Sequence, residues 1–303
     1  MAFYKFGIII KQRREELGYT QEDLAEGICS VVSLSRIENG ERMPTKNHIE
    51  MLLQRLGLSD AILYNYIDEN TFYLHELKLR IRHFVIFKKF EDAQELLTEY
   101  ENKADMDSPL EQQFVLLFST IAATTAYSNE ERLRNFEEAI RLTCPKYTGG
   151  YLPQILSYEE ITILNNIAGC YQSMQNYSKA IEILSHIKRY YESGIVNTEE
   201  VLRTQTMILY NLSKCLGLAG EYSDCIAVCD KGIQIARETG RCGCLAETLY
   251  NRAWSLARRM LPGDFEQAEA TALDAYNAAV VMGKNDAATR YKAFIDRTFS
   301  GKD

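Results

Sequence analysis

The chain has 303 residues, of which 46% are hydrophobic and 25% charged, and it contains only 5 prolines and 17 glycines. This composition is ordinary for a globular protein and excludes long disordered linkers and turn-rich β-sandwiches, so we expect long helices. No apolar run reaches the ~20 residues of a membrane span, and no secretory signal pattern is visible. We therefore expect a cytoplasmic protein without a membrane segment, whose 8 cysteines are free thiols.

The formal net charge of −8 is unevenly distributed along the chain. The first 58 residues carry 8 basic and 8 acidic side chains, so the whole negative surplus follows them. This change in composition predicts a neutral N-terminal domain over residues 1–58, a helical linker over 59–70 and an acidic domain over 71–303. Because only the last domain is acidic, the net charge does not exclude nucleic-acid binding by the first.

The N-terminal domain carries the signals of four short helices. Thr20 is a typical N-cap with Asp23 as its capping-box partner, so the second helix begins there and is expected to end near Gly27. Ser30 and Thr45 have the same N-cap character and predict the starts of the third and fourth helices. Two short helices joined by a tight turn, followed by another helix, predict a helix-turn-helix.

The third helix combines a small apolar side with an outer face that carries few charges. Leu34 and Ile37 point inward at helical spacing, which leaves Val31 and Val32 on the outer face. Valine methyl groups can contact thymine methyls, Arg36 can pair with a guanine edge, and basic residues beyond the helix can contact phosphates. These positions predict a DNA-binding surface that comprises Ser30, Val31, Val32, Ser35, Arg36, Arg42 and Lys46.

The N-terminal segment closely resembles the phage-repressor-like helix-turn-helix family over about residues 5–58. The motifs that carry this resemblance are Ile10-Lys-Gln-Arg-Arg, Thr20-Gln-Glu-Asp-Leu-Ala and Ser35-Arg-Ile-Glu-Asn-Gly40. The resemblance implies a buried ion pair between Arg14 and Glu38. It also implies that Gln21 contacts phosphate while the first residues of the third helix read bases. The alternative is a small helical domain that is kept only for packing.

From Thr71 onward the sequence is a series of helices, and a hairpin pattern recurs in it. Each clear copy has a first helix, a turn, an aromatic residue and then a small residue three positions later. The aromatic and small residues pair as Tyr177 with Ala180, Tyr222 with Cys225, and Phe265 with Ala268, and weaker copies pair Phe90 with Ala93 and Phe136 with Ala139. The pattern resembles tetratricopeptide repeats. We therefore expect an all-α fold, in which the helix-turn-helix domain is followed by a right-handed superhelix of tetratricopeptide-like hairpins.

Three asparagines occupy the same position on the first helix of successive repeats, namely Asn166, Asn211 and Asn251. In tetratricopeptide folds this position faces the concave wall. An amide side chain can donate to a peptide bond and accept from it at once, so a ladder of asparagines can hold an extended peptide. The alternative is that these amides form hydrogen bonds between helices of the repeat domain. Neighbouring positions on the same face are Asn165, Tyr210, Lys214 and Tyr250.

A phage-type helix-turn-helix followed by about five long hairpins is similar to the peptide-pheromone-responsive regulators of Gram-positive bacteria, of PlcR and Rgg type. The segments Gly27-Ile-Cys-Ser30, Tyr210-Asn-Leu-Ser-Lys214 and Asp274-Ala-Tyr276 carry this resemblance. It implies that a short imported peptide binds the concave groove. The implied peptide contacts are Tyr64, Lys88, Asn165, Asn211 and Tyr276, with Asn251 where the family has glutamine. As alternatives, Lys88 is a solvated loop charge and Tyr276 is a core aromatic.

Four cysteines lie close together in the sequence, at positions 225, 229, 242 and 244. Cys225 and Cys229 fall where the repeat requires small buried residues, so we interpret them as core thiols rather than zinc ligands. No catalytic constellation or phosphate-binding loop is visible, and we expect no cofactor, metal site or enzyme activity.

The sequence therefore predicts a homodimeric transcription factor that a signalling peptide gates and that binds a near-palindromic DNA operator. Dimerisation is implied by the family. The alternative is a helix-turn-helix repressor whose repeat domain is a protein-interaction scaffold without a peptide ligand. A scaffold whose N-terminal domain no longer binds DNA is a third possibility.

Overall fold

The computed structural model describes residues 2–58, 69–123, 126–148, 152, 155–193 and 199–299. Throughout these residues the regular secondary structure is helical. The first four helices are α1 (Ala2–Glu16), α2 (Gln21–Ala25), α3 (Val31–Glu38) and α4 (Lys46–Arg55). The next five are α5 (Glu69–Ile86), α6 (Phe90–Lys103), α7 (Pro109–Ala122), α8 (Asn129–Thr143) and α9 (Tyr158–Ser173). The last six are α10 (Tyr177–Glu192), α11 (Glu199–Ala219), α12 (Tyr222–Thr239), α13 (Leu245–Arg259), α14 (Asp264–Val281) and α15 (Asn285–Phe299).

The helices form two compact units. Unit 1 holds the described residues up to Cys170 together with Ser193, and unit 2 holds those from Tyr171 to Glu192 and from 199 onward. The predicted linker lies almost entirely outside the described residues, because α5 begins at Glu69. The boundaries 1–58, 59–70 and 71–303 thus stay a prediction.

The predicted caps of the N-terminal helices are confirmed. The Thr20 hydroxyl accepts from the backbone N–H of Asp23, whose carboxylate accepts from the backbone N–H of Thr20 in return. Ser30 and Thr45 cap α3 and α4 in the same way, through side-chain oxygens that accept backbone N–H groups. The prediction that the second helix runs to Gly27 is wrong by two residues, since α2 ends at Ala25.

The core of the N-terminal helices continues into the following helices of unit 1. Leu24, Leu34 and Leu52 are fully buried in one apolar cluster that also contains Leu110 of α7 and Ile155, which precedes α9. Helices α1 to α4 are therefore not a free-standing domain in this structure. They share buried surface with the helices of unit 1 that follow them.

The predicted hairpin pattern is confirmed in its three clear copies and in the weaker copy at Phe90, but not in the copy at Phe136. The aromatic residue lies at the start of the second helix in four hairpins and inside α8 in the fifth. The five small residues that follow the aromatics are each fully buried, namely Ala93, Ala139, Ala180, Cys225 and Ala268. A small side chain at this point lets the two helices of a hairpin approach closely. The predicted fold class, all-α with a helix-turn-helix followed by tetratricopeptide-like repeats, is confirmed. Within the described ranges, every helix is too short or too polar to span a bilayer.

Candidate DNA-binding and peptide-binding surfaces

Helix α3 presents an outer face with two exposed valines. Val31 and Val32 are 37% and 62% exposed, whereas Leu34 and Ile37 are buried. The Ser30 hydroxyl that caps the helix also donates to the hydroxyl of Ser33 at 3.0 Å. The predicted orientation of α3 is therefore confirmed, and its N-terminal turn lies at the surface.

A buried ion pair holds α3 against the first two helices. Arg14 Nε lies 2.6 Å from Glu38 Oε1, and its Nη2 lies 2.9 Å from Oε2. The third nitrogen of the guanidinium, Nη1, donates to the carbonyl of Tyr19 at 2.8 Å. The hydrogen bonds that Arg14 donates to Glu38 raise the pKa of Arg14. The expected pair is confirmed, and its bidentate geometry is the strong form of this interaction.

Glu38 also fixes the position of Gln21, because Gln21 Nε2 donates to Glu38 Oε2 at 2.8 Å. One carboxylate thus joins α1, α2 and α3. Helix α1 approaches α3 closely at Gly7, where a Cβ atom would lie 2.2 Å from the carbonyl oxygen of Ile37. Since a larger residue would separate the helices, this glycine is required by packing.

The remaining predicted DNA-binding residues differ in their surroundings. Arg36 is exposed on α3, and Ser35 is half-buried. Arg42 Nη1 donates to Ser33 Oγ at 2.8 Å, which ties the loop after α3 back to the helix. The backbone of Lys46 begins α4, but its side chain lies outside the described residues. Contact of any of these residues with DNA stays a prediction.

In unit 2, a cleft of about 180 Å³ lies between α11, α12 and α13. It brings together three residues that the sequence predicted as peptide contacts, namely Lys214, Tyr250 and Asn251. The other lining residues are Ser213, Gly217, Leu218, Cys225, Trp254 and Ser255. Sequence reasoning missed Trp254 as a site residue, although its position one turn after Tyr250 and Asn251 placed it on the same helix face.

The amide of Asn251 is held by the neighbouring helix. Its Nδ2 donates to Ser213 Oγ at 2.9 Å and lies 3.5 Å from the carbonyl oxygen of Tyr210. Asn166, in unit 1, donates from Nδ2 to the carbonyl of Thr162 at 2.8 Å within its own helix. Asn251 therefore forms a hydrogen bond between helices, which was the alternative to a peptide contact. Asn211 lies half-buried on α11.

Aromatic contacts shape the rim of this cleft. The Arg258 guanidinium lies 3.5 Å from the centre of the Trp254 ring, a cation–π contact. The Tyr250 ring stacks on Tyr291 with centroids 4.3 Å apart and meets Phe294 edge-on. Burial raises the pKa of Tyr250, so its hydroxyl stays protonated at neutral pH. The cleft is therefore lined by an uncharged tyrosine, an indole and a lysine.

The other predicted peptide contacts are more scattered. Lys88 lies exposed in the turn between α5 and α6 with a positive φ of 57°, which agrees with the alternative of a loop charge. Tyr276 is half-buried and packs against an alanine-rich cluster of α13 to α15. Asn165 is half-buried on α9 in unit 1, and Tyr64 lies outside the described residues.

The cysteines singled out by the sequence are part of the core or of a turn. Cys225 and Cys229 are fully buried in α12, and Cys225 Sγ accepts a hydrogen bond from Ser255 Oγ at 3.0 Å. Burial raises the pKa of Cys229. Within the part of the chain that the structure describes, no group of three or more histidine, cysteine or acidic side chains is arranged to hold a metal ion.

Comparison with known proteins gives matches along most of the chain. A helix-turn-helix family model matches residues 10–63, and the model of the RNPP family C-terminal domain matches residues 81–282. No curated protein sequence matches the chain.

Solved structures share this architecture from end to end. PlcR of Bacillus thuringiensis in complex with the peptide PapR7 and DNA is 22% identical over 96% of this chain and 99% of its own, with a TM-score of 0.59. The apo form of the competence regulator ComR from Streptococcus vestibularis is 17% identical over 99% of both chains, with a TM-score of 0.55. ComR from S. thermophilus in complex with DNA and its signalling peptide ComS is 17% identical over 96% of this chain and 98% of its own, with a TM-score of 0.51.

At these identities the structural matches establish the fold. The family follows from the C-terminal match, which alone covers more than half of the chain and continues the helix-turn-helix match. The chain belongs to the RNPP family of peptide-responsive, DNA-binding transcriptional regulators.

Proposed function

We propose that this protein is a quorum-sensing transcriptional regulator that acts in the cytoplasm as a homodimer and carries no enzyme activity. A short signalling peptide would bind its repeat domain and change its affinity for a near-palindromic DNA operator. One observation carries the proposal: a helix-turn-helix with an exposed outer face on α3 is joined to an RNPP repeat domain in a single chain.

In this proposal the outer face of α3 reads bases in the major groove. Val31 and Val32 would contact thymine methyls, and Arg36 would pair with a guanine. Gln21, Arg42 and Lys46 would contact phosphates, which position the domain without specifying sequence. Ser30 and Ser35 would line the edges of the contact. The Arg14–Glu38 pair, which joins α1 to α3, would fix the angle at which this face meets the groove.

The peptide would lie along the first helices of the repeats in unit 2 and use the cleft there as one subsite. Lys214 would pair with an acidic group or the terminal carboxylate of the peptide, and Trp254 would cover an apolar side chain. The aromatic stack behind Tyr250 makes this wall rigid, so little conformational entropy is lost on binding. Asn211 and Tyr276 would extend this contact surface within unit 2, and Asn165 of unit 1 stays a separate predicted peptide contact.

A regulator whose repeats bind another protein instead of a peptide is the second candidate. The observation that favours it is the hydrogen bonding of Asn166 and Asn251 within the protein. These amides stabilise helices in this structure, so they do not by themselves indicate a peptide ladder.

The sole tryptophan, Trp254, gives a direct test of the peptide site. Synthetic peptides encoded by small open reading frames beside the gene would be titrated into the full-length protein while Trp254 fluorescence and thermal stability are recorded. We expect one peptide to change the fluorescence in a saturable way, and Lys214→Ala to weaken that change. Lys231→Ala, an exposed lysine on α12, is the matched control. Saturable binding that Lys214→Ala leaves intact would remove this cleft from the proposal, and absence of binding by every peptide would favour the scaffold.

A further inference from the structure

Arg55, the last residue of α4, is buried although it belongs to a helix end. Only 5% of its surface is exposed. Its Nη1 donates to the carbonyl of Glu26, and its Nη2 lies 3.3 Å from the carbonyl oxygen of Thr143 and 3.5 Å from Glu160 Oε1. The last two partners belong to α8 and α9, so this side chain leaves the helix-turn-helix and enters the repeat helices of unit 1.

Hydrogen bonds from three neighbouring residues hold the Glu160 carboxylate beside Arg55. Its Oε2 accepts the backbone N–H of Ser157 at 2.8 Å in a capping box that starts α9. Its Oε1 accepts from the Thr143 hydroxyl at 2.7 Å and from the Cys144 thiol at 3.0 Å. Burial opposes ionisation of this carboxyl, but the charge of Arg55 and these hydrogen bonds together lower its pKa. The pair is therefore ionised and nearly saturated with hydrogen bonds.

The backbone of the helix-turn-helix also approaches the end of α8 closely beside this ion pair. A Cβ atom on Gly27 would lie 2.2 Å from the carbonyl oxygen of Thr143, and Gly27 also has a positive φ of 71°. Only glycine permits this approach of the helix-turn-helix turn to the end of α8. At the rim, Lys146 Nζ forms a 2.9 Å ion pair with Glu26 Oε1. A buried ion pair, a backbone contact and the shared apolar cluster thus join the two parts.

The docked arrangement leaves the recognition surface open. Val31, Val32 and Arg36 are exposed while Arg55 is engaged. The contact therefore does not occlude α3. It fixes the direction in which α3 points relative to α7, α8 and α9.

We propose that Arg55 is a positioning residue for DNA binding. Its ion pair with Glu160 fixes helix α3 on the first repeats. The repeat domain then determines where each recognition helix meets its half-site. The inference rests on the proposed binding of a two-half-site operator. It predicts that the spacing between half-sites is selected by this contact, whereas the sequence of each half-site is selected by α3. Loss of the contact should relax the spacing and leave the half-site sequence unchanged.

The test compares the double variant Arg55→Met/Glu160→Gln with wild type in the full chain. Removal of both charges avoids leaving one buried charge without a partner, so we expect the fold to be kept. Lys146→Ala, which breaks the exposed rim pair of the same contact, is the matched control, since Lys146 is 72% exposed on its side chain. The first measurement is amide hydrogen exchange at residues 25–29, 51–56 and 139–147. We expect exchange there to accelerate at least about tenfold in the double variant and to stay unchanged in the control.

The second measurement is selection of DNA from a random pool by each protein, with half-site sequence and spacing read separately. We expect wild type and control to select one spacing and the double variant to accept several, with the same half-site. Unchanged exchange in the double variant would show that the Arg55–Glu160 pair does not hold the helix-turn-helix on the repeat helices. Faster exchange with an unchanged spacing would overturn its positioning role. If wild type selected no DNA, the proposed function would fail, and the positioning role of Arg55 in DNA binding would fail with it. The exchange data would still report whether the Arg55–Glu160 pair holds the two parts together.

The single variant Arg55→Lys gives a conservative check. It keeps the charge but loses the planar guanidinium that reaches Glu26, Thr143 and Glu160 together. We expect partial rescue, with a spacing preference between those of wild type and the double variant. A spacing preference for Arg55→Lys as broad as that of the double variant, combined with wild-type exchange, would contradict the inference.

Discussion

The helix-turn-helix and the cleft of unit 2 differ in whether the same residues serve both stability and ligand binding. In the first, buried side chains such as Arg14 and Glu38 hold the frame, and the exposed face of α3 is left for a ligand. In the cleft, Asn251 and Tyr250 belong to the proposed peptide surface and also hold helices together. A substitution in the first region can therefore change either stability or binding alone, whereas many substitutions in the second should change both.

The largest effect is expected where the frame of the helix-turn-helix is broken. Glu38→Ala leaves Arg14 buried without its carboxylate, so it should lower the free energy of unfolding by about 3–5 kcal/mol. Urea denaturation monitored by circular dichroism measures this. Glu15→Ala is the matched control, because Glu15 is an exposed carboxylate 3.6 Å from the same arginine, and it should cost less than about 1 kcal/mol. Similar costs for the two variants would show that the Arg14–Glu38 pair does not hold the frame.

The converse change adds a charge to the open face and should leave stability unchanged. Val32→Glu places a carboxylate on the outer face of α3, where it would meet the major groove in place of a methyl contact with thymine, and it should weaken DNA binding by about 1–3 kcal/mol. Fluorescence anisotropy with a DNA selected by the wild-type protein measures this. Gln12→Glu adds the same charge to an exposed position of α1 and serves as the control. Equal weakening by both would mean that net charge, and not α3, accounts for the loss.

The same division explains what the sequence revealed about each region. Local spacing in the sequence predicts the N-caps and the inward side of α3. The resemblance to the phage-repressor-like helix-turn-helix family predicts the Arg14–Glu38 pair. Burial of the small residues, such as Ala180 and Cys225, also follows from a pattern that recurs along the chain. Local and repetitive signals of this kind are sufficient to assign the fold.

Contacts between distant residues gave no such signal. Arg55 and Glu160 are 105 positions apart, and each looks like an ordinary charge at a helix end. Ser157 and Glu160 have the spacing of a capping box, which is a local feature, but the additional role of Glu160 as an acceptor for Arg55 depends on tertiary packing. Likewise, the spacing of Asn251 was compatible with a peptide contact or with a hydrogen bond to Ser213, since an amide serves both equally well.

An intermediate effect is expected at Asn251, where the two roles coincide. Asn251→Ala removes the hydrogen bond from Nδ2 to Ser213, so it should lower the free energy of unfolding by about 1 kcal/mol. Asn277→Ala, an exposed asparagine on α14, should change it by less than about 0.5 kcal/mol. Thermal unfolding without peptide measures both. If Asn251→Ala were as neutral as its control, this amide would be available to a ligand, and the cleft would resemble α3 in separating structure from binding.

The smallest effect is expected at Arg258, which tests whether the rim of the cleft is an exception. Arg258 is exposed, and its main contact is with the Trp254 ring. An exposed cation–π pair contributes about 0.5–1 kcal/mol, so Arg258→Ala should lower stability by no more than that. The emission of Trp254, the sole tryptophan, should change because the guanidinium leaves its ring. Arg237→Ala, an exposed arginine on α12, should leave the emission unaltered. Because the stability cost is small, any larger loss of peptide affinity in Arg258→Ala would arise from binding. Arg258, at the rim of the cleft, would then behave as Val32 does in α3, with an effect on binding and little effect on stability.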